Sequence, residues 1–253
     1  MVTSIFKKPN FKVAIVTGGG RNIGRAIALE LHQKGYAVVV CARSQAEIDV
    51  TAGIIQEQGG TSVAIRADVT QEPDVSRVVT AAKDLFGRVD ALVNNAGCYL
   101  MKSIEDTSLA EWQQTLNLNL QGPFLMTKAV LPLMKTQGSG RIVNVSSLFG
   151  VTPGSNVSAY VASKSGLIGL TRALAREFRP FHITVNAVCP GAVNTSDESD
   201  TLEDKRWPFG EHLLPRDVAE TVAYLLSEAA SQVSGTVIEV PGGTDFEVKV
   251  HAV

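Results

Sequence analysis

The sequence predicts a single α/β domain, doubly wound around a seven-stranded parallel sheet with helices on both faces. Short, mostly apolar runs rich in β-branched residues recur along the chain, and stretches with helical spacing separate them. The runs are residues 13–16, 37–40, 63–65, 91–93, 142–145, 183–188 and 236–240. The helical stretches are residues 23–34, 45–58, 72–86, 108–136, 158–178 and 216–226. Because strand and helix alternate without a Pro/Ser-rich linker or a repeat, one domain over 1–253 is the simplest interpretation.

Three segments fall outside this alternation. Residues 1–11 are predicted to be an N-terminal overhang, and residues 244–253 a C-terminal extension to which no role is assigned. Residues 194–212 have no clean period and hold a cluster of charged side chains, so we expect a loop over the substrate site.

Composition and charge exclude several classes of protein. With 45% hydrophobic and 19% charged residues, the chain of 253 residues is globular rather than disordered or fibrous. The net charge of −2 gives no field that would favour nucleic acid or an anionic membrane as a partner. The longest clean apolar run, residues 36–42, is far shorter than the roughly 20 residues that span a bilayer.

The cysteines and the N-terminus predict a cytoplasmic location. Cys41, Cys98 and Cys189 are too widely spaced for a disulfide framework or for paired metal ligands, so a reducing compartment and no metal site are expected. Residues 1–12 contain no apolar stretch typical of a secretory signal.

A glycine-rich turn follows the first predicted strand and leads directly into a helix. It contains Gly18, Arg21, Asn22, Ile23 and Gly24. Such a turn lets the backbone approach a pyrophosphate and directs free helix N–H groups at it, although a glycine turn without a ligand is the plainer alternative. At Asn22, asparagine is the non-glycine residue that best tolerates positive φ, so the turn should still form.

The end of the second strand predicts the type of dinucleotide. An acid about 20 residues after the glycines would bind the ribose hydroxyls of NAD, but Ala42 stands there, followed by Arg43 and Ser44. Arg43 and Arg21 can flank a 2′-phosphate, which favours NADP(H) over NAD(H). The alternative is that both arginines are simply solvated.

A candidate catalytic group follows the fifth strand. Tyr160 and Lys164 are four residues apart and share one face of a helix, so the ammonium is expected to lower the pKa of the phenol and make it a general acid/base. Ser147 ends the preceding strand, where its hydroxyl can stabilise a developing alkoxide; Ser146 is the less favoured partner. Pro123 lacks an N–H, which leaves the Asn119 carbonyl available to water.

These motifs together resemble the short-chain dehydrogenase/reductase family, whose domain is Rossmann-like, from residue 13 to about residue 243. The resemblance is to NADP-preferring members such as 3-oxoacyl-[acyl-carrier-protein] reductases and related carbonyl reductases. It departs from the family pattern at Asn22, where a glycine is usual, and at Pro241, where an acid is common. It implies that further residues contact the cofactor. They are Asp68, Val69, Asn95, Ala96, Gly97, Tyr160, Lys164, Pro190, Gly191, Val193 and Thr195.

The resemblance also implies a reaction. NADPH would reduce a ketone or 3-oxoacyl carbonyl, or the reverse oxidation would occur, with Tyr160 donating the proton and Asn119 holding a water in a relay to Lys164. An NADP(H)-binding sensor without turnover is the alternative, and the four-residue interval disfavours an enoyl reductase.

Two further expectations concern partners. A small-molecule carbonyl or alcohol substrate is expected to meet a moderately apolar pocket, and Lys205 and Arg206 are a weak indication of an anionic carrier. The candidate pocket residues are Tyr99, Leu100, Leu148, Phe149, Val151, Trp207 and Phe209. Small residues at helical spacing, Ala162, Gly166, Gly169 and Ala173, suit either a homo-oligomer interface, dimeric or tetrameric, or close packing within one subunit.

Overall fold

The structure, a computed structural model, describes residues 11–195 and 213–242. Within these ranges seven parallel strands form one sheet in the order β3-β2-β1-β4-β5-β6-β7. The strands are β1 (Lys12–Thr17), β2 (Tyr36–Ala42), β3 (Ser62–Arg66), β4 (Ala91–Asn94), β5 (Gly140–Val145), β6 (Ile183–Pro190) and β7 (Val237–Val240). The predicted fold class is therefore confirmed.

Helices lie between successive strands, as predicted. They are α1 (Asn22–Gln33), α2 (Gln45–Glu57), α3 (Glu72–Phe86), α4 (Leu109–Leu116), α5 (Gly122–Gln137), α6 (Ser158–Phe178) and α7 (Pro215–Leu226). Helix α4 begins with a capping box, in which Ser108 and Glu111 each bond the other's backbone N–H.

The prediction of one uninterrupted helix over 108–136 is wrong. A π-turn, Asn117–Gln121, separates α4 from α5, and the Gly122 N–H donates to the carbonyl of Asn117, five residues earlier. The wider turn accommodates one extra residue without breaking the helical path, so the apolar spacing that predicted a single helix continues through it.

The side chains of the sheet divide between two cores. In β1, Val13 and Ile15 pack with α3 and α5 on one face, whereas Ala14 and Val16 pack with α1 and α7 on the other. Because successive side chains of a strand point to opposite faces, a continuous apolar run is what a strand covered on both sides requires.

The strand order reverses between β1 and β4, which are neighbours in the sheet although β2 and β3 lie between them in sequence. In open parallel sheets, a crevice forms outside the carboxyl ends of the strands at such a point. The turns that follow β1, β4 and β5 meet at this edge, and all the sequence motifs described above lie on them or close to them.

Several predictions fall outside the described residues. They are the overhang except Phe11, the loop 194–212 except Asn194 and Thr195, and the extension 244–253. In the described part of the chain, no helix is long and apolar enough to cross a membrane.

Candidate active site

The turn after β1 has the backbone conformation that its sequence predicts. Gly18 has φ +64° and Asn22 has φ +48°, so the asparagine adopts the left-handed conformation expected of it. A Cβ on Gly24 would lie 2.1 Å from the Gly18 carbonyl oxygen, which is too close for any side chain. The first turn of α1 is thus pressed against the turn that precedes it, and its N–H groups are accessible to a ligand.

Two residues that the sequence analysis did not single out, Arg25 and Thr51, hold the conformation of this turn. Arg25 Nε and Nη2 donate to the Gly20 carbonyl at 3.1 and 2.6 Å, and the hydroxyl of Thr51, on α2, donates to the same oxygen at 3.3 Å. These bonds draw the carbonyl dipole toward α2. Nothing in the local sequence pattern indicates this, because Thr51 is 31 residues from Gly20.

A cavity of about 590 Å³ opens at the edge of the sheet above the β1–β4 crossing. It is lined by most of the residues predicted to bind a cofactor. These are Gly18, Arg21, Asn22, Ile23, Gly24, Arg43, Ser44, Asp68, Val69, Asn95, Ala96, Gly97, Tyr160, Lys164, Pro190 and Thr195. Gly191 and Val193 do not line it; the Gly191 N–H donates to the Val240 carbonyl, and Val193 forms a backbone bridge with Leu213.

Some lining residues were not predicted. They are Gly20, Ala42, Glu47, Ala67, Cys98, Leu118, Val145 and Ser146, whereas Tyr99, which also lines the cavity, was predicted as a substrate-pocket residue. Glu47 matters for the choice of dinucleotide, because its carboxylate lines the same cavity as Arg21 and Arg43. The sequence argument looked for an acid only at the end of β2, whereas Glu47 reaches the cavity from the first turn of α2.

The other end of the cavity holds the predicted catalytic side chains. Tyr160 lies in the first turn of α6 and its ring contacts the side chain of Lys164, whose Nζ is 5.7 Å from the ring centroid. Ser147 follows β5, and its hydroxyl interacts with the Tyr160 phenol and lowers the pKa of that phenol. Ser146 instead donates to the Lys164 carbonyl at 3.0 Å and so anchors α6.

Burial has the largest effect on the pKa values of Tyr160 and Lys164. Burial raises the pKa of Tyr160, and the interaction with Ser147 partly opposes this. The net direction is opposite to the one expected from Lys164. The reason is that Lys164 is itself buried, which lowers its pKa to about 8, and its Nζ donates to the Val145 carbonyl at 2.8 Å.

Asn119 lies in the π-turn and is fully buried. Its amide oxygen accepts from the Cys98 N–H, while its amide nitrogen donates to the Cys98 carbonyl and to Ser163 Oγ. Ser163 Oγ in turn donates to the Tyr160 carbonyl at 2.7 Å. Asn119 therefore connects the segment after β4, which lines the cavity, with the helix that carries Tyr160.

On the substrate side, five of the seven candidate pocket residues lie in the described part of the chain. Leu100 is half-buried and Val151 is exposed, and neither lines the cavity. Tyr99 and Phe149 contact the ring of Tyr160, while Leu148 is 3% exposed and belongs to the core rather than to a pocket. Trp207, Phe209, Lys205 and Arg206 lie outside the described residues.

Comparisons with known proteins show the family to which the chain belongs. A family model described as short chain dehydrogenase matches residues 12–206. A 3-oxoacyl-[acyl-carrier-protein] reductase of Synechocystis sp. is 38% identical over 238 residues, covering 92% of this chain and 96% of the relative. Human dehydrogenase/reductase SDR family member 4 is 39% identical over 247 residues, covering 92% and 87%.

Solved structures give the same result. A crystal structure of an actinorhodin polyketide ketoreductase variant with NADPH superimposes with a TM-score of 0.85 at 36% identity, covering 93% of this chain and 98% of that one. The chain belongs to the short-chain dehydrogenase/reductase family. It is an oxidoreductase that uses a nicotinamide cofactor.

The residues of the cavity fit such a cofactor. The bare first turn of α1 suits a pyrophosphate, because Gly24 has no room for a side chain and leaves the backbone N–H groups accessible. Arg21 and Arg43 place cations at one end of the cavity, and Tyr160 and Lys164 place a proton donor and an ammonium at the other.

Proposed function

We propose that this oxidoreductase is NADP(H)-dependent and reduces a ketone or a 3-oxoacyl carbonyl to an alcohol, or catalyses the reverse oxidation. The observation that carries the proposal is that Tyr160 and Lys164 lie side by side in the cavity wall, with the Lys164 Nζ 5.7 Å from the centroid of the Tyr160 ring, while Ser147 interacts with the phenol and lowers its pKa. Carbonyl reduction requires a proton donor, a hydrogen-bond donor to the developing oxyanion and a nearby cation, and these three groups meet here.

The cofactor would be held along the whole cavity. The turn from Gly18 to Gly24 would bind the pyrophosphate, and Arg21 and Arg43 would bind the 2′-phosphate that distinguishes NADP from NAD. When bound, the nicotinamide supplies the hydride that adds to the carbonyl carbon.

Tyr160 then supplies the proton. Because burial raises its pKa, the phenol keeps its proton at neutral pH and can give it to the carbonyl oxygen as negative charge develops there. Ser147 donates a hydrogen bond to the same oxygen and holds it in line with the phenol.

Lys164 and Asn119 support this transfer. The Lys164 ammonium stabilises the phenolate left on Tyr160, and its burial strengthens that interaction. Asn119 fixes α6 against the segment after β4, and its backbone carbonyl is the proposed position for a water that returns a proton through Lys164.

The names of the relatives support the class of substrate. Carbonyl groups of 3-oxoacyl chains are reduced by the Synechocystis relative, and the actinorhodin relative is a polyketide ketoreductase. Both names describe reduction of a ketone.

The test compares wild type with Tyr160→Phe for NADPH binding and for oxidation of NADPH with a panel of ketones and 3-oxoacyl thioesters. Loss of the phenolic proton should reduce turnover by roughly 10²- to 10⁴-fold while NADPH binding persists. Normal turnover by Tyr160→Phe would contradict the mechanism. Tight NADPH binding by wild type without turnover of any carbonyl would indicate the sensor instead.

We also propose that the protein is a homo-oligomer, a dimer or a tetramer. A groove of about 820 Å³, largely apolar, runs between α5 and α6. A Cβ on Gly166 would meet Leu120 of the same chain at 3.0 Å, so packing within the subunit explains that glycine, whereas Gly169 faces open space in the groove. Sedimentation of wild type and Gly169→Trp tests this, because a bulky ring there should dissociate the oligomer.

A further inference from the structure

The substrate end of the cavity is built from three aromatic rings with two orientations. The rings of Tyr99 and Phe149 are within 16° of parallel, with 6.5 Å between their centroids. The ring of Tyr160 is nearly perpendicular to both, at 81° and 83°, with centroid distances of 5.0 and 6.5 Å. The proton donor is therefore flanked by a pair of aligned rings.

Tyr99 is unusual among these rings because it is exposed. More than half of its surface, 55%, is accessible, although it lines the cavity and contacts Tyr160. Its backbone does not move freely, since the preceding residue, Cys98, is bonded on both sides to Asn119. A rigidly held ring with an open surface beside a proton donor is a surface available for a ligand to cover.

The charged residues among those described differ between the two ends of the cavity. At the cofactor end they are Arg21, Arg43, Glu47 and Asp68. At the Tyr160 end the only charged residue among the described lining residues is Lys164, which is buried and bonded to the Val145 carbonyl, so these residues present aromatic rings rather than a free charge to a ligand. On the segment after Tyr99, the ammonium of Lys102 is neutralised by Glu111 at 3.0 Å.

We infer that the substrate is a ketone that bears a planar aromatic ring next to its carbonyl. Such a ring lies parallel to Tyr99 and Phe149 and meets Tyr160 edge to face, while its carbonyl oxygen points to the phenol. A saturated ring of the same size has no π face and makes neither contact. This inference rests on the proposed carbonyl reductase function and names its substrate class.

Phenyl methyl ketone and cyclohexyl methyl ketone are a matched pair for the test. Their kcat/KM values with NADPH are measured for wild type, Tyr99→Leu and Phe149→Leu, with an aliphatic 3-oxoacyl thioester as a third substrate. The matched control is Tyr224→Leu, which removes a ring of similar exposure, 47%, from α7. Phenyl ketones are intrinsically less reactive, so the quantity compared is the phenyl/cyclohexyl ratio in each variant relative to wild type.

Loss of one aromatic contact should lower this ratio about three- to tenfold in Tyr99→Leu and in Phe149→Leu, and leave it unchanged in Tyr224→Leu. A ratio that is the same in all four proteins, or turnover of the thioester alone, overturns the inference and leaves the reductase function standing. Absence of turnover with all three substrates overturns the reductase function itself, and the inference with it.

Discussion

Asn119 holds both backbone groups of Cys98, with its Oδ1 2.8 Å from the Cys98 nitrogen and its Nδ2 2.9 Å from the Cys98 oxygen. The Asn119 side chain thus bonds the N–H and the carbonyl of one residue, as a neighbouring strand does in a β-sheet. It matters because residues 95–99 line the cavity and have no strand partner beyond Asn94. The buried amide of Asn119 therefore holds this segment in position, as pairing with a neighbouring strand does within the sheet.

Asn119→Ala should therefore affect the cavity as well as the proton relay. Removal of the amide leaves the Cys98 N–H and carbonyl without this partner, which should cost about 1–3 kcal/mol in the free energy of unfolding. NADPH binding should weaken too. Denaturant titration and NADPH titration measure both, with the exposed residue Gln114 of α4 replaced by alanine as the control. If only turnover falls while stability and binding stay at wild-type values, the side chain is not a structural clamp.

Substitution by alanine should have opposite effects on stability at two glycines. Gly24→Ala places a Cβ 2.1 Å from the Gly18 carbonyl, so the turn must open, with an expected cost of about 1–3 kcal/mol and much weaker NADPH binding. Gly53→Ala, in the middle of α2, meets no atom within 4 Å and should stabilise the protein by about 0.5–1 kcal/mol. Thermal unfolding of both variants checks this, and a stable Gly24→Ala that binds NADPH normally would contradict the close approach.

The charges at the far end of the cavity predict the dinucleotide preference. Arg43→Ala should weaken NADPH binding about tenfold or more and leave NADH binding nearly unchanged, because only NADPH offers a 2′-phosphate to this guanidinium. Glu47→Gln should act in the other direction, since it removes a negative charge from the same region. The Kd values for both dinucleotides are compared, with Arg176→Ala on the exposed face of α6 as the control. An unchanged NADPH/NADH ratio in Arg43→Ala would show that this arginine does not select NADP.

The sequence predicts the parts of this molecule that depend on local chemistry. The buried strands follow from runs such as Val13–Val16 in a chain that alternates with helices, and the left-handed Asn22 follows from asparagine's own conformational range. The position of Tyr160 and Lys164 next to each other in the cavity wall follows from their four-residue spacing on α6.

What the sequence could not predict depends on residues brought together by folding. The π-turn adds one residue to a helical path, and one extra residue within a long apolar pattern is too small a change to distinguish it from an α-helix. Arg25 and Thr51 meet at the Gly20 carbonyl only because α1 and α2 pack side by side. The proton affinity of Tyr160 was predicted in the wrong direction because spacing shows that a cation is near, whereas the extent of burial is a property of the whole fold.

Lys164 connects stability with catalysis. Burial lowers its pKa from 10.5 to about 8, so between these pH values the unfolded chain binds a proton that the folded chain has released. Stability from this group therefore rises with pH from about 8 to about 10.5, and the full penalty for burying the charge is present below pH 8. The shift corresponds to a penalty on the order of 3 kcal/mol.

Lys164→Met should remove that penalty. At pH 7 the variant should be more stable than wild type by about 1–2 kcal/mol, because the loss of the bond to the Val145 carbonyl offsets part of the gain. The advantage should shrink as pH rises above 8, while turnover is lost at every pH. Burial raises the pKa of Cys41 and Cys189 and makes wild type less stable above pH 9. The Cys41 contribution is common to both proteins and cancels in their difference, whereas the Lys164 ammonium lowers the pKa of Cys189, so Cys189→Ser is placed in the background of both proteins. Denaturant unfolding between pH 7 and 10 measures that difference, with the exposed Lys83→Met as the control. If the stability difference does not change with pH, burial does not destabilise the charged form of Lys164. The proposed stabilisation of the Tyr160 phenolate by a buried ammonium would then lose its support.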